Sequence, residues 1–356
     1  MSRVPLAAAL ALAVLAGGRR TAAVRAHDPV PTTPTFAADV RGILAARCTT
    51  CHAAGGSAPM PLTTAEEVRP WAAATREQVL NRRMPKWHAA RGYGAFVNDP
   101  TLTPHEQAIV IGWIDAGMPE GVPRGAAAPR PAAGFAIGTT GDDARRVFVR
   151  AGADVGWLGG GSAAWITGWA FSPGDPLISA AVISVDRAPI GSWVAGDRPT
   201  RLPPGLAFRG GGRIRVDLRR RAAAAQERPF VPRASVLTLL TTVTTPAQRA
   251  WTEQIACGAL RSGPPGRLLA VRPLLDRREI RMSVTRPGAP ASIVGWFRDF
   301  DPLYPRTYWL VRPIEMGSDT SLAGDGPCRV ELTLAPSGYG TSMTNAAVVA
   351  RPPRWN

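Results

Sequence analysis

Cys48-Thr49-Thr50-Cys51-His52 reads C-x-x-C-H. At this spacing two thiols can each form a thioether with a vinyl group of one haem, while the next imidazole reaches the iron. Iron held this way takes its other axial ligand from a short set, and methionine sulfur is the usual companion of histidine. The chain offers Met84, within Arg83-Met84-Pro85, and Met60 and His88 are rivals for that position. On the N-terminal side Phe36, Val40, Ile43 and Leu44 recur at i, i+4, i+7 and i+8, which predicts a helix running into the motif.

On the C-terminal side the pattern stays helical. Thr64-Ala65-Glu66-Glu67 and Thr103-Pro104-His105-Glu106 each carry Thr with Glu three residues on, the signature of a capping box, and the second has Pro at the first helical position. Trp71, Val79 and Leu80 supply one apolar face, Ile109, Trp113 and Ile114 another, and Gly117 stands where the last helix should stop. Residues 35–121 therefore predict an all-α domain around one covalent haem c. His105, in the first turn of its helix, reads as a solvated residue and not a ligand.

Residues 122–134 are a Pro/Ala linker. Beyond it short runs such as Ala164–Ala170, Leu177–Val185, Arg213–Leu218 and Ser235–Val243 are separated by Gly and Pro turns, an antiparallel pattern. The expected fold is thus multidomain. An N-terminal all-α domain precedes an all-β jelly-roll or sandwich region with two subdomains, 135–228 and 229–350. Leu158-Gly159-Gly160-Gly161 precedes no helix and lacks a Lys, so it reads as a loop and not a phosphate cradle.

Residues 1–26 read as a secretory signal: Arg3 is followed by the apolar run Leu6–Ala16 and by the small-residue site Val24-Arg25-Ala26. The expected location is periplasmic or otherwise exported, with membrane contact only if that segment stays uncleaved. Two further cysteines, Cys257 and Cys328, make an even pair in such a compartment and are expected to form a disulfide. The net charge is +16, and Lys86 is the only lysine among 42 Lys and Arg residues. The arginines are scattered rather than gathered in a stripe, so no nucleic-acid partner is expected. A charge of this sign favours an acidic partner protein.

Residues 36–121 resemble bacterial exported cytochrome c modules fused to copper type II ascorbate-dependent monooxygenase-like domains. The resemblance rests on Cys48–His52, Ala58-Pro59-Met60, Arg69-Pro70-Trp71, Arg83-Met84-Pro85, Gly92-Tyr93-Gly94, Asn98-Asp99, Trp113 with Asp115-Ala116-Gly117, and Pro119-Glu120-Gly121. The later half is similar to the monooxygenase-like partner at Trp169–Gly174, Ser192–Asp197, Leu202–Ala207 and Phe297–Phe300 with Tyr304. Where the resemblance implies copper-ligating histidines, this chain has Ala180-Ala181, Leu218 and Pro273-Leu274-Leu275-Asp276. Its four histidines, His27, His52, His88 and His105, all precede the linker. Copper is therefore not expected, because sites of that kind draw on imidazole. The expected function is single-electron transfer by a monohaem c-type cytochrome, with a redox partner protein and a copper-less β-module used for docking or scaffolding. The alternative is an oxygenase-type oxidoreductase in which the cytochrome feeds a site in the β-module or an open haem.

Overall fold

Thr64 and Thr103 open helices as their spacing predicts. In the computed structural model, which describes residues 30–123, 143–158, 164–223, 230–261, 263–274 and 279–337, both capping boxes are complete. Thr64 accepts from the Glu67 amide and Thr103 from the Glu106 amide, while each Glu reaches back to its Thr. A π-helical turn, Phe36–Val40, runs on into α1, Arg41–Arg47. Helix α2 is Ala65–Val68; a 3-10 turn, Arg69–Trp71, joins it to α3, Ala72–Leu80; α4 is Pro104–Asp115. Phe36, Val40, Leu44, Val68, Val110 and Trp113 form their common core. The two ends of the segment are tied together, since the Phe36 amide donates to the Pro119 carbonyl and Trp113 Nε1 donates to the same oxygen.

Strands take up 40% of the described residues and helices 15%. One sandwich is built from two sheets. The first orders β1 (Asp143–Val149), β9 (Ser235–Thr242), β3 (Trp165–Ser172), β7 (Leu206–Arg209) and β10 (Gln248–Arg249), with β6 (Thr200–Arg201) beside β3. The second orders β2 (Val155–Leu158), β8 (Ile214–Arg220), β4 (Ile178–Val185) and β5 (Ala188–Val194). Alternating burial along β8 and the first half of β9 marks strands with one face inward. All eight residues of β4 are buried, so it is covered on both faces.

The other sandwich pairs β11 (Trp251–Ala256), β17 (Arg329–Pro336), β12 (Gly266–Leu274) and β15 (Tyr308–Met316) in one sheet. Its second sheet is β14 (Ala289–Phe297), β13 (Ile280–Arg286) and β16 (Ser321–Gly324). Cys257 and Cys328 are joined by a disulfide across the β11–β17 end, with Cα atoms 5.2 Å apart and a sequence separation of 71. Loop closure of that length is worth roughly 4 kcal/mol in the chain-entropy account. The two sandwiches are not separate bodies split at residue 228. β9 belongs to the first sandwich, and Leu269, Ala270, Trp309 and Ala335 of the second complete the core of the first.

The expected fold class needs correction. The helices form, but they are short, and the segment containing them does not stand apart as an all-α domain. Residues 87–98 leave the helices and enter the second sandwich. Ala89 bridges to Phe297 of β14, and Phe96 bridges to Leu310 of β15. The Ala90 amide donates to the Trp296 carbonyl (2.7 Å), and the Val97 amide to the Trp309 carbonyl (2.9 Å). This stretch therefore spans the gap between two sheets and supplies the backbone partners that their edges would otherwise lack. Trp87 and Phe96 seal it, packing edge-on to Tyr308 at ring separations of 4.8 and 5.4 Å. A periodicity argument cannot see such a closure, because the segment has no period of its own. The signal segment 1–26, most of the linker, Gly159-Gly160-Gly161 and Leu275-Asp276 lie outside the described residues.

Phe96 is 9% exposed and lies between Trp87, Phe297 and Tyr308. Phe96→Ala should lower the unfolding free energy by about 3–5 kcal/mol, the usual cost of emptying an aromatic core site. Urea unfolding followed by tryptophan fluorescence checks this. A loss below about 1 kcal/mol, the range of surface substitutions, would mean that the segment only lies on the sandwich.

Candidate functional site: a thiol and imidazole turn against the β-body

The last turn of α1 leads straight into the motif. The Cys48 and Thr49 amides both donate to the Leu44 carbonyl, and the Cys51 and His52 amides both donate to the Cys48 carbonyl. The chain then doubles back. The Ala58 amide donates to the Cys51 carbonyl (3.1 Å) and the Leu62 amide to the His52 carbonyl (2.8 Å). Gly56 makes the reversal possible, because a Cβ there would lie 2.2 Å from the Cys51 carbonyl oxygen.

His52 is buried, and its Nδ1 lies 3.0 Å from the Met60 carbonyl oxygen. A carbonyl can only accept, so the proton sits on Nδ1 and the lone pair of the neutral ring is on Nε2. Burial holds the His52 pKa below its ordinary value, which the Met60 carbonyl partly offsets, and so favours the neutral ring. A ring oriented by a carbonyl on one nitrogen, and without a partner on the other among the described residues, is suited to ligate a metal.

Cys48 and Cys51 are free thiols, each half-buried. Burial pushes the Cys48 thiol up to about 12, and the neighbouring Cys51 adds to the rise. Burial also raises Cys51, against hydrogen bonds from Ser57 and Thr50 and the positive charge of Arg306. Thiol–disulfide exchange needs a thiolate, so a pair held protonated is poorly suited to it.

The structure brings Cys48, Cys51, His52 and Met60 into this turn, where Cys48 and Met60 each pack on the helical core. Met84 is not part of that core. It sits on the turn after α3 with 36% of its surface exposed, its amide donating to the Gln78 carbonyl. His88 is committed elsewhere: it is 7% exposed, its Nδ1 lies 3.0 Å from the Tyr308 hydroxyl, and its ring faces Phe300. His105 lies in the first turn of α4.

Sequence reasoning missed the contribution of the β-body. Arg306, just before β15, forms a buried ion pair with Asp197, just after β5, and its guanidinium lies 5.4 Å from the centre of the Trp87 ring. Asp197 also accepts from the Val194 amide (2.9 Å), and burial raises its pKa against the pull of Arg306. Gly196-Asp197 stood out in the sequence as framework, and nothing local marks it as a neighbour of Cys51.

No family model matches the chain, and no curated protein matches it. Among solved structures, the chain is similar to the major capsid protein P2 from Bacteriophage PM2, at 10% identity and a TM-score of 0.30, over 56% of this chain and 100% of that one. It is also similar to A223, a turret protein in Sulfolobus turreted icosahedral virus, at 9% identity and a TM-score of 0.18, over 55% of this chain and 98% of that one. Superpositions this loose do not extend to a shared fold.

The resemblance to cytochrome c modules with monooxygenase-like partners is therefore corrected, and with it the expected function. No family model of either kind matches, and the body is a pair of sandwiches into which the helical segment is built. Among the described residues no group of three or more His, Cys, Asp or Glu side chains gathers as a metal cage. Neither an electron-carrying cytochrome nor an oxygenase fed by one is supported.

Burial, with Arg306 adding to it, lowers the His88 pKa from 6.5 to about 4. The unfolded chain then binds the extra proton between those values. Stability present at neutral pH is lost as pH falls through that window, by roughly 3 kcal/mol. His88→Gln can keep a hydrogen bond to Tyr308 without titrating, and should flatten the pH dependence of urea unfolding between pH 6.5 and 4. An unchanged slope would remove His88 as its source.

Proposed function

We propose that the chain is an exported binding protein that holds one haem covalently through Cys48 and Cys51, with His52 on the iron, at the seam between its helical segment and its β-body. The role proposed is to retain that group and present it to a partner, not to relay electrons. The observation that carries the proposal is the His52 ring, which is buried, fixed by the Met60 carbonyl on Nδ1, and without a hydrogen-bond partner on Nε2 among the described residues, one residue after the second thiol. Free, unbridged thiols at Cys48 and Cys51 also fit thioether attachment. When bound, haem supplies an iron centre that responds to ligands and oxidation state. Met84 is the side chain proposed to supply a sulfur to the group, with Met60 as its rival.

Export is supported by the signal-like residues 1–26 and by the Cys257–Cys328 disulfide, a bond that persists in oxidising compartments. No helix of the described residues is long and apolar enough to cross a membrane. The net charge of +16 favours a partner with an acidic surface, an attraction that weakens with salt.

The test is export from a host that attaches haem covalently, followed by denaturing electrophoresis and peroxidase staining. Wild type should keep the stain through denaturation, and Cys48→Ser with Cys51→Ser should abolish it. His52→Ala should keep the stain but shift the Soret band, and Met84→Ala should shift it without loss of stain. Unstained wild-type protein would end the proposal. A Soret band that moves in Met60→Ala and not in Met84→Ala would transfer the sulfur role to Met60.

A further inference from the structure

The segment bearing the two thiols and His52 is held from the β-body at three points. Ahead of it, Arg198 Nη2 donates to the Ala46 carbonyl (3.4 Å). Behind it, Arg221 Nη2 donates to the Ser57 carbonyl (2.9 Å). Between them the turn after β5 lies against the motif itself. A Cβ on Gly196 would be 2.7 Å from Cys51 Sγ and 3.5 Å from Thr50 Oγ1, so the backbone of that turn is in contact with the sulfur. The turn is fixed in its own right. Gly196 has φ +90°, the Asp197 carboxylate accepts from the Val194 amide, and Arg306 pairs with that carboxylate while 4% exposed.

We infer that the β-body is a clamp on the attachment segment: Gly196, Arg198, Arg221 and the Asp197–Arg306 pair position residues 46–57 and wall off Cys51. The inference deepens the proposed haem site, and in that form rests on it. Its geometric content does not, because the same contacts would restrict access to the free Cys51 thiol. These are positioning residues. Gly196, Arg198 and Arg221 touch the segment, and the Asp197–Arg306 pair fixes the turn that carries Gly196; their effect is to hold the sulfur in one place and keep solvent from one side of it. The arrangement makes retention of the group a property of the whole chain, since the clamp residues come from beyond the linker.

Two readouts separate failure of the clamp from failure of the haem site. In full-length protein carrying no haem, iodoacetamide labelling mapped by peptide mass should proceed about tenfold faster at Cys51 in Arg198→Ala/Arg221→Ala than in wild type, as expected when a local contact is released without global unfolding. Arg306→Gln should act in the same direction. Because it breaks a buried pair and can unfold the chain, the Arg198/Arg221 variant, which leaves that pair intact, carries the test. In haem-loaded protein the same variant should keep the covalent stain while its Soret band broadens or shifts. Equal Cys51 labelling in wild type and the Arg198/Arg221 variant would overturn the clamp, whatever the haem stain shows. Faster labelling in protein that never takes haem would keep the clamp and discard the cofactor.

Discussion

The ion pair between Asp197 and Arg306 is the interaction on which the rest of the arrangement turns. The two residues are 109 apart in the chain, one following the last strand of a sheet in the first sandwich and the other preceding an edge strand of the second. A buried pair of this kind repays its desolvation only through good geometry and further hydrogen bonds, and losing one member leaves an uncompensated charge that costs about 3–5 kcal/mol. Here the further bonds exist: Asp197 caps the Val194 amide, and the Arg306 guanidinium also lies over Trp87. Three parts of the chain are thus committed to one geometry. By contrast Arg272 and Glu331, equally buried, face each other directly across β12 and β17 and fix only their own register.

That junction explains why the helical segment does not behave as a separate domain. Its own core is real, with Trp113 fully buried against Phe36. Yet the stretch between α3 and α4 spends its aromatic residues on the second sandwich, where Trp87 and Phe96 join Phe297 and Tyr308. Removing the helical segment would expose that cluster, and removing the sandwich would expose Phe96 and leave His88 without Tyr308. Each part buries apolar area that the other cannot cover alone, which is the condition for folding as one unit.

What the sequence disclosed follows from the range of each signal. Capping boxes act over three residues, and both were legible at Thr64 and Thr103. Alternation acts within a strand, so the β character beyond residue 143 was legible too. The number of helices around the motif suggested more than it should have, because a run of short amphipathic turns looks the same whether it closes on itself or leans on a sheet. The strand-like pairing of residues 88–97 with two sheets depends on partners about 200 residues away, and no local pattern encodes it. The same holds at the motif. Cys48, Cys51 and His52 announce themselves by spacing, whereas Arg198, Arg221 and Arg306 are three among many scattered arginines until the fold selects them.

Selection of those arginines also bears on the unusual charge of the chain. Arg198 and Arg221 both donate to backbone carbonyls of the thiol-bearing segment, and Arg306 is neutralised by Asp197. Guanidinium suits such work because it offers several donors in a fixed plane and sheds water more readily than an ammonium. A lysine in these places would offer a single point of contact and a higher desolvation cost. Part of the arginine content is therefore structural, and reading the whole of +16 as a surface for partners would overcount it. The solvent-facing remainder is what an acidic partner would meet, and only that part should respond to salt.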